Sequence, residues 1–219
     1  MRIDADTLRE MAGLLSAEDR DEMAIPSFLH KNPALRWMAW KRIEVVAQLI
    51  GETCPRGGRV LDFGCGTGVL FEASLSRAAH VTGVDLVLTA ANLWVERRGL
   101  TDRVTLVPAA DVAAIPDQSV DLIVAAEVLE HIDDPTETLA FFRRVRKPGG
   151  SLLVSLPTEN RAYRFGRRLA GFSGHYHDHD AWHIDGNIQK GGFARRLAKT
   201  IPGPGPLAIY LVARYEPSR

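Results

Sequence analysis

The sequence predicts an α/β protein: a seven-stranded, mostly parallel sheet with helices on both faces and an antiparallel last strand. Three observations predict it. Apolar runs of strand length recur at 60–63, 81–84, 104–107, 122–126 and 152–156. Helical stretches at 69–77, 88–97 and 135–146 fall between most of them, the alternation expected when helices cover a parallel sheet. Two further strand-like segments, 194–201 and 207–215, flank the turn sequence PGPGP and read as a hairpin that closes the sheet.

The elements follow in order. Residues 8–15 read as a short helix. Residues 34–50 read as a longer one, with Leu35, Met38, Ile43, Val46, Leu49 and Ile50 near helical spacing. Between them AIPSFLHKNP holds two prolines and predicts no regular structure. The third and fourth strands are joined by PAADVAAIPDQSVD, too short to require a helix. The helix near 135 is well signalled: Asp134 suits the N-cap, Pro135 the first helical position, and Glu137 the third residue of a capping box. Lys147-Pro148-Gly149-Gly150 then ends that helix and turns into the fifth strand. Periodicity fails from 157 to 192, where Gly, His and Arg cluster.

Composition narrows the function. A chain of 219 residues is long enough for one α/β domain with a full core. Its 27 basic and 27 acidic residues cancel, which argues against a nucleic-acid binder. The excess is distributed unevenly: residues 161–219 carry +6 and the remainder −6. That pattern fits a solvated basic surface or an anionic partner. Two cysteines, Cys54 and Cys65, suggest no disulfide framework. No signal sequence opens the chain, and no apolar run approaches about 20 residues. The expectation is a cytoplasmic protein without a transmembrane segment.

One stretch carries the chemistry. In VLDFGCGTGVL, a strand ends at Asp62-Phe63 and runs into Gly64, Gly66 and Gly68. Glycine accepts positive φ and lets backbone approach a ligand without a Cβ clash. Such a turn, between a strand and a helix, opens free N–H groups at the carboxyl edge of the sheet, where open α/β folds bind ligands. Asp85 ends the next strand, 17 residues beyond Gly68, and its carboxylate suits the two hydroxyls of a ribose. Together they ask for a nucleoside-containing ligand. The spacing is G-x-G-x-G, not the dinucleotide G-x-G-x-x-G. Spacing alone leaves open a dinucleotide site or a merely structural turn.

VLDFGCGTG followed by VTGVDL resembles the class I S-adenosylmethionine-dependent methyltransferases. AADVAAIPDQSVDLIVAAEVLEHIDDP and RKPGGSLLVSLP resemble later motifs of that family, in the same order. The resemblance covers roughly residues 60–157 and implies a Rossmann-like fold with S-adenosylmethionine as cofactor and S-adenosylhomocysteine as product. It implies that Asp62, Phe63, Gly64, Cys65, Gly66 and Gly68 form the loop around the methionine part, with Cys65 a small packing residue. Asp85 would hold the ribose hydroxyls and Leu86 would pack beside the adenine. Asp111 and the adjacent Val112 would meet the adenine amino group. Glu127 and Val128, past the fourth strand, would line the floor near the sulfonium. The domain would divide into a helical cover (1–56), a cofactor core (57–157), a substrate-side insertion (158–193) and the hairpin (194–219).

The expected reaction is in-line methyl transfer to a small-molecule acceptor, anionic or lipid-like, with no nucleic-acid partner. The alternative is a non-catalytic protein of the same fold that binds the cofactor for regulation or as a partner subunit. His131 is the candidate base, since neutral imidazole accepts a proton near pH 7; its competing role is to bond the backbone. In the insertion, Tyr163, Arg164, His175, Tyr176 and His177 are candidates for contact with the acceptor. Alternation places His175, His177 and His179 on one face of an extended segment, but the family reading needs no metal and none is expected. In the N-terminal region Trp37 and Trp40 are further candidates for the acceptor side, in a cover that closes over cofactor and acceptor; their other readings are core packing against the sheet and an amphipathic face on a membrane.

Overall fold

The computed structural model describes residues 2–160 and 180–218. The chain falls into two compact units, Met1–Pro116 and Asp117–Arg219.

The first unit opens with helix α1 (Ala5–Leu14). Its Asp4 cap accepts the Asp6 and Thr7 N–H groups at 3.1 and 2.9 Å, satisfying donors that have no partner inside the helix. Leu8 and Met11 face inward at helical spacing. Ser16 caps α2 (Ala17–Glu22). The proline-containing stretch expected to be irregular holds a short helix, α3 (Ile25–Phe28), because Pro26 falls in the first turn, where a missing N–H costs nothing. Asn32 caps α4 (Pro33–Thr53), again with proline at the entry. Trp40, Ile43, Val46, Ala47 and Ile50 line its buried stripe.

Strands β1 (Arg59–Phe63), β2 (His80–Asp85) and β3 (Val104–Pro108) are parallel, with Val60 opposite Val81 and Val81 opposite Val104. Helix α5 (Phe71–Leu75) connects the first pair and α6 (Thr89–Arg97) the second. The first of these is shorter than its sequence pattern, because the glycine turn continues to Leu70. A 3₁₀ turn, Ala109–Ala114, follows β3.

In the second unit β4 (Val120–Ala126) pairs in parallel with β5 (Arg146–Pro157). A 3₁₀ turn at Leu129–His131 and helix α7 (Thr136–Val145) lie between them. The cap of α7 is shifted from the expected one. Pro135 is the N-cap residue, and Asp134, one position before it, accepts the Thr136 N–H at 2.9 Å. The register breaks between Val120 and Leu122, where Lys147–Gly150 bulges. A Cβ on Gly150 would lie 2.9 Å from the Asp121 carbonyl oxygen. Helix α8 (Ala181–Lys190) leads into the hairpin β6 (Phe193–Ile201) and β7 (Tyr210–Pro217). In sheet order the seven strands run β3-β2-β1-β4-β5-β7-β6, and β7 is antiparallel to both of its neighbours. Among the described residues no helix is long and apolar enough to cross a membrane.

Helix α8 has no counterpart in the sequence reading, and Asp185 is the reason. Ala181, Ile184, Asp185 and Ile188 form its buried stripe, so a carboxylate stands where the pattern calls for an apolar residue. The Asp185 oxygens accept from the fully buried Tyr215 hydroxyl at 2.7 Å, from Arg195 at 2.8 Å and from Gln189 at 2.9 Å. These bonds offset the cost of burying the charge and fasten α8 to the hairpin. Burial and the Asp185 carboxylate together push the Tyr215 phenol well above its ordinary value. Tyr215→Phe is expected to lower stability by about 1–3 kcal/mol, the scale for leaving a buried acceptor short of a donor. Urea unfolding should show a lower midpoint at unchanged slope.

Candidate active site

The carboxyl ends of β1 and β2 build the candidate cofactor site of the first unit. The Gly64 and Cys65 N–H groups both donate to the Val84 carbonyl, at 2.8 and 3.0 Å, which ties the turn to the end of β2. Gly64, Gly66 and Gly68 all take left-handed φ, at 74°, 51° and 74°, where other residues are strained. They are glycine for different reasons. A Cβ on Gly68 would fall 2.5 Å from the Phe71 ring, so this position is closed by the protein itself. On Gly66 the nearest atoms belong to the Met23 side chain, 3.6 Å away, so the turn is open there to anything that displaces a flexible side chain.

Asp85 crosses from β2 to this turn. Its Oδ2 accepts the Gly66 N–H at 2.7 Å, and its Oδ1 accepts from Leu86 at 2.8 Å and Val87 at 3.4 Å. Each carboxylate oxygen has further lone pairs for hydroxyl donors. Leu86 is 83% exposed beside it. Asp62 lies beneath, 2% exposed, with Oδ2 unpartnered. Burial, reinforced by the Asp85 charge, pushes its carboxyl up to about 7. Burial likewise raises the Cys65 thiol, which suits a packing residue and not a nucleophile. Phe63 is half-buried in the same turn. Asp111 is exposed in the 3₁₀ turn after β3, next to the half-buried Val112. Glu22 was missed from sequence: burial first, then Glu18, Asp19 and Asp85, raise its carboxyl. No local pattern signals that α2 meets the glycine turn.

In the second unit the end of β4 is strained. Glu127 has φ 59°, rare for a residue with a side chain. Its N–H donates to the Ser155 carbonyl at 2.9 Å, and the Ser155 hydroxyl donates to Glu127 Oε1 at 3.1 Å. Ser155 was also missed, although a serine within the apolar run LLVSLP is a visible signal. Val128 is half-buried and Glu130 buried. His131 is exposed as a residue, yet its imidazole has lost enough hydration to sit below its ordinary pKa, which keeps it neutral at pH 7.

The remaining candidates divide. Trp40 is corrected from the acceptor side to the core: it is 4% exposed and its ring lies 4.5 Å from that of Phe28. Trp37 is 49% exposed. Tyr163, Arg164, His175, Tyr176 and His177 lie outside the described residues.

The sign of the Asp62 effect is definite. Folded, it holds a proton up to about pH 7; unfolded, only to about pH 4. Its contribution to stability is therefore present below about pH 4 and is lost as pH rises to about 7. The wild-type unfolding free energy minus that of Asp62→Asn is expected to fall across this window. A flat difference in urea titrations would contradict the buried acid.

Comparison with known proteins agrees with this geometry. A family model described as a methyltransferase domain matches residues 35–194. The ubiquinone biosynthesis O-methyltransferase of Pseudomonas syringae pv. tomato is 36% identical over 113 residues, covering 50% of this chain and 49% of its own. The Saccharophagus degradans protein of the same name is 38% identical over 111 residues, covering 49% and 47%. The chain thus spans about half the length of the curated relatives it matches. Among solved structures, the N-methyltransferase NodS from Bradyrhizobium japonicum with S-adenosyl-L-homocysteine superposes with a TM-score of 0.63 at 19% identity. It covers 97% of this chain and 99% of its own. With the family match extending over well over half its length and the seven-stranded fold in place, the chain belongs to the methyltransferase-domain family, of the class I S-adenosylmethionine-dependent type.

Proposed function

We propose that this protein transfers a methyl group from S-adenosylmethionine to a hydroxyl oxygen of a small molecule. The observation that carries the proposal is the conjunction at the ends of β1 and β2: a turn open at Gly66, the Asp85 carboxylate bonded to that turn, and an unpartnered buried oxygen on Asp62. These residues fit the cofactor. Asp85 would accept from ribose hydroxyls, the Gly64–Gly68 turn would offer backbone to the methionine part, and the buried Asp62 carboxyl beneath that turn would be drawn toward its ionised form by a cationic group nearby. Asp111 and Val112 serve the adenine edge, and Leu86 packs on its face. Oxygen is favoured as the acceptor atom because the curated relatives are named O-methyltransferases.

When bound, the cofactor supplies an electrophilic methyl carbon on a sulfonium, primed for displacement. The protein has to place the acceptor in line and exclude water, and positioning supplies much of the acceleration. His131, whose imidazole is held below its ordinary pKa by lost hydration, would serve as the base for the acceptor hydroxyl. Glu127, held by Ser155, keeps a fixed carboxylate at the end of β4. An acceptor of anionic or lipid-like character fits the basic balance of residues 161–219.

Transfer of labelled methyl from S-adenosylmethionine to hydroxylated aromatic acids tests the reading. Cofactor binding with no label transferred to any acceptor, including those of a cell extract, would leave a binding protein instead. Asp85→Ala is expected to weaken S-adenosylhomocysteine binding by about 1–3 kcal/mol in calorimetry, the scale of losing charge-assisted hydrogen bonds. His131→Ala is expected to lower kcat by about 10²–10⁴-fold while leaving that affinity unchanged.

A further inference from the structure

Charge along the N-terminal region changes abruptly. Helix α2 is AEDRDE, with four acids among its six residues. From Met23 through Ile43 there is no Asp or Glu, while Lys31, Arg36, Lys41 and Arg42 all fall there. This acid-free stretch contains α3 and the first half of α4, and its surface is specific. Trp40 turns inward against Phe28, which fixes the rotation of α4 and sends Trp37 outward, 49% exposed. Ala34 and Lys41 lie three residues before and four after Trp37, on the same helix face. Lys31, Asn32, Pro33 and Ala34 are exposed at the approach. The Arg36 guanidinium donates to the His30 carbonyl at 2.8 Å, a neutral partner that leaves its charge uncancelled. Glu44 is shared between Arg2 at 2.7 Å and Lys41 at 3.6 Å, one acid against two bases.

We propose that this face of α4 — Ala34, Trp37 and Lys41, with Lys31 and Arg36 beside it — docks on an anionic lipid surface. Charge complementarity selects the occupant. Indole is stable at headgroup depth, with its ring in the acyl boundary and its N–H wet. Lysine and arginine flanking it reach anionic headgroups. A two-fold contact of this face with itself in a second copy would set these cations against their own kind. The face lies outside the glycine turn, so docking does not depend on the chemistry proposed there.

Flotation of the full chain with vesicles of phosphatidylcholine, with and without phosphatidylglycerol, tests the proposal. Binding is expected to the anionic vesicles and to fade with added salt. Each reversal, Lys31→Glu and Lys41→Glu, is expected to weaken it by at least about five-fold, and Trp37→Ser to weaken it further, with circular dichroism and melting unchanged. Brominated lipid should quench the fluorescence of the unaltered protein and spare Trp37→Phe, which reads the same contact without depending on the charge variants. Equal binding to both vesicle types, or binding indifferent to these substitutions, overturns the proposal. So does a concentration-dependent dimer in sedimentation velocity that Trp37→Ser abolishes, which would assign the face to a second copy.

Discussion

A carboxylate that must accept from backbone N–H groups at the ends of two adjacent parallel strands is the constraint on which the site depends. Parallel strands end with their last N–H groups pointing past the sheet, and a turn that keeps them there must use left-handed backbone. Asp85 resolves both demands. It gathers the Gly66, Leu86 and Val87 donors, so the turn has a defined shape before any ligand arrives. Such preorganisation lowers the cost of binding. It also explains the state of Asp62: buried, with the Asp85 charge nearby, a second carboxyl is more stable protonated.

Much of this was legible in the sequence because it is local. The three glycines, the acid that ends β1 and the acid that ends β2 each sit at a strand tip, and strand tips can be found from apolar runs. The hairpin was legible for the same reason, from PGPGP between two strand-like segments. What escaped depends on contacts between distant segments. Trp37 and Trp40 are the same residue type three positions apart, and only the packing of Phe28 decides which of them is core. Asp185 hid α8 because its partners, Arg195 and Tyr215, lie 10 and 30 residues further along the chain, and no local pattern joins them to it. The left-handed conformation of Glu127 carries no compositional signal, since glutamate has no special tolerance for it.

The two units solve the problem of buried acid differently. In the first, Asp62 keeps an unpartnered oxygen and relies on a proton. In the second, Asp185 is supplied with three donors and keeps its place as a structural tie. A satisfied carboxylate fixes one arrangement, while an unsatisfied one leaves capacity for a ligand. That contrast separates the acid that holds α8 to the hairpin from the acid that keeps its proton beneath the glycine turn.

The sealing of both cysteines has a practical consequence. Cys54 is 1% and Cys65 6% exposed, and Cys65 Sγ lies in the space that a Gly83 Cβ would crowd. Neither sulfur meets an alkylating reagent in the closed protein, where burial also holds the Cys65 thiol protonated. Thiol labelling therefore proceeds only as fast as the surrounding segments breathe, so each cysteine serves as an internal clock for local opening of the N-terminal half.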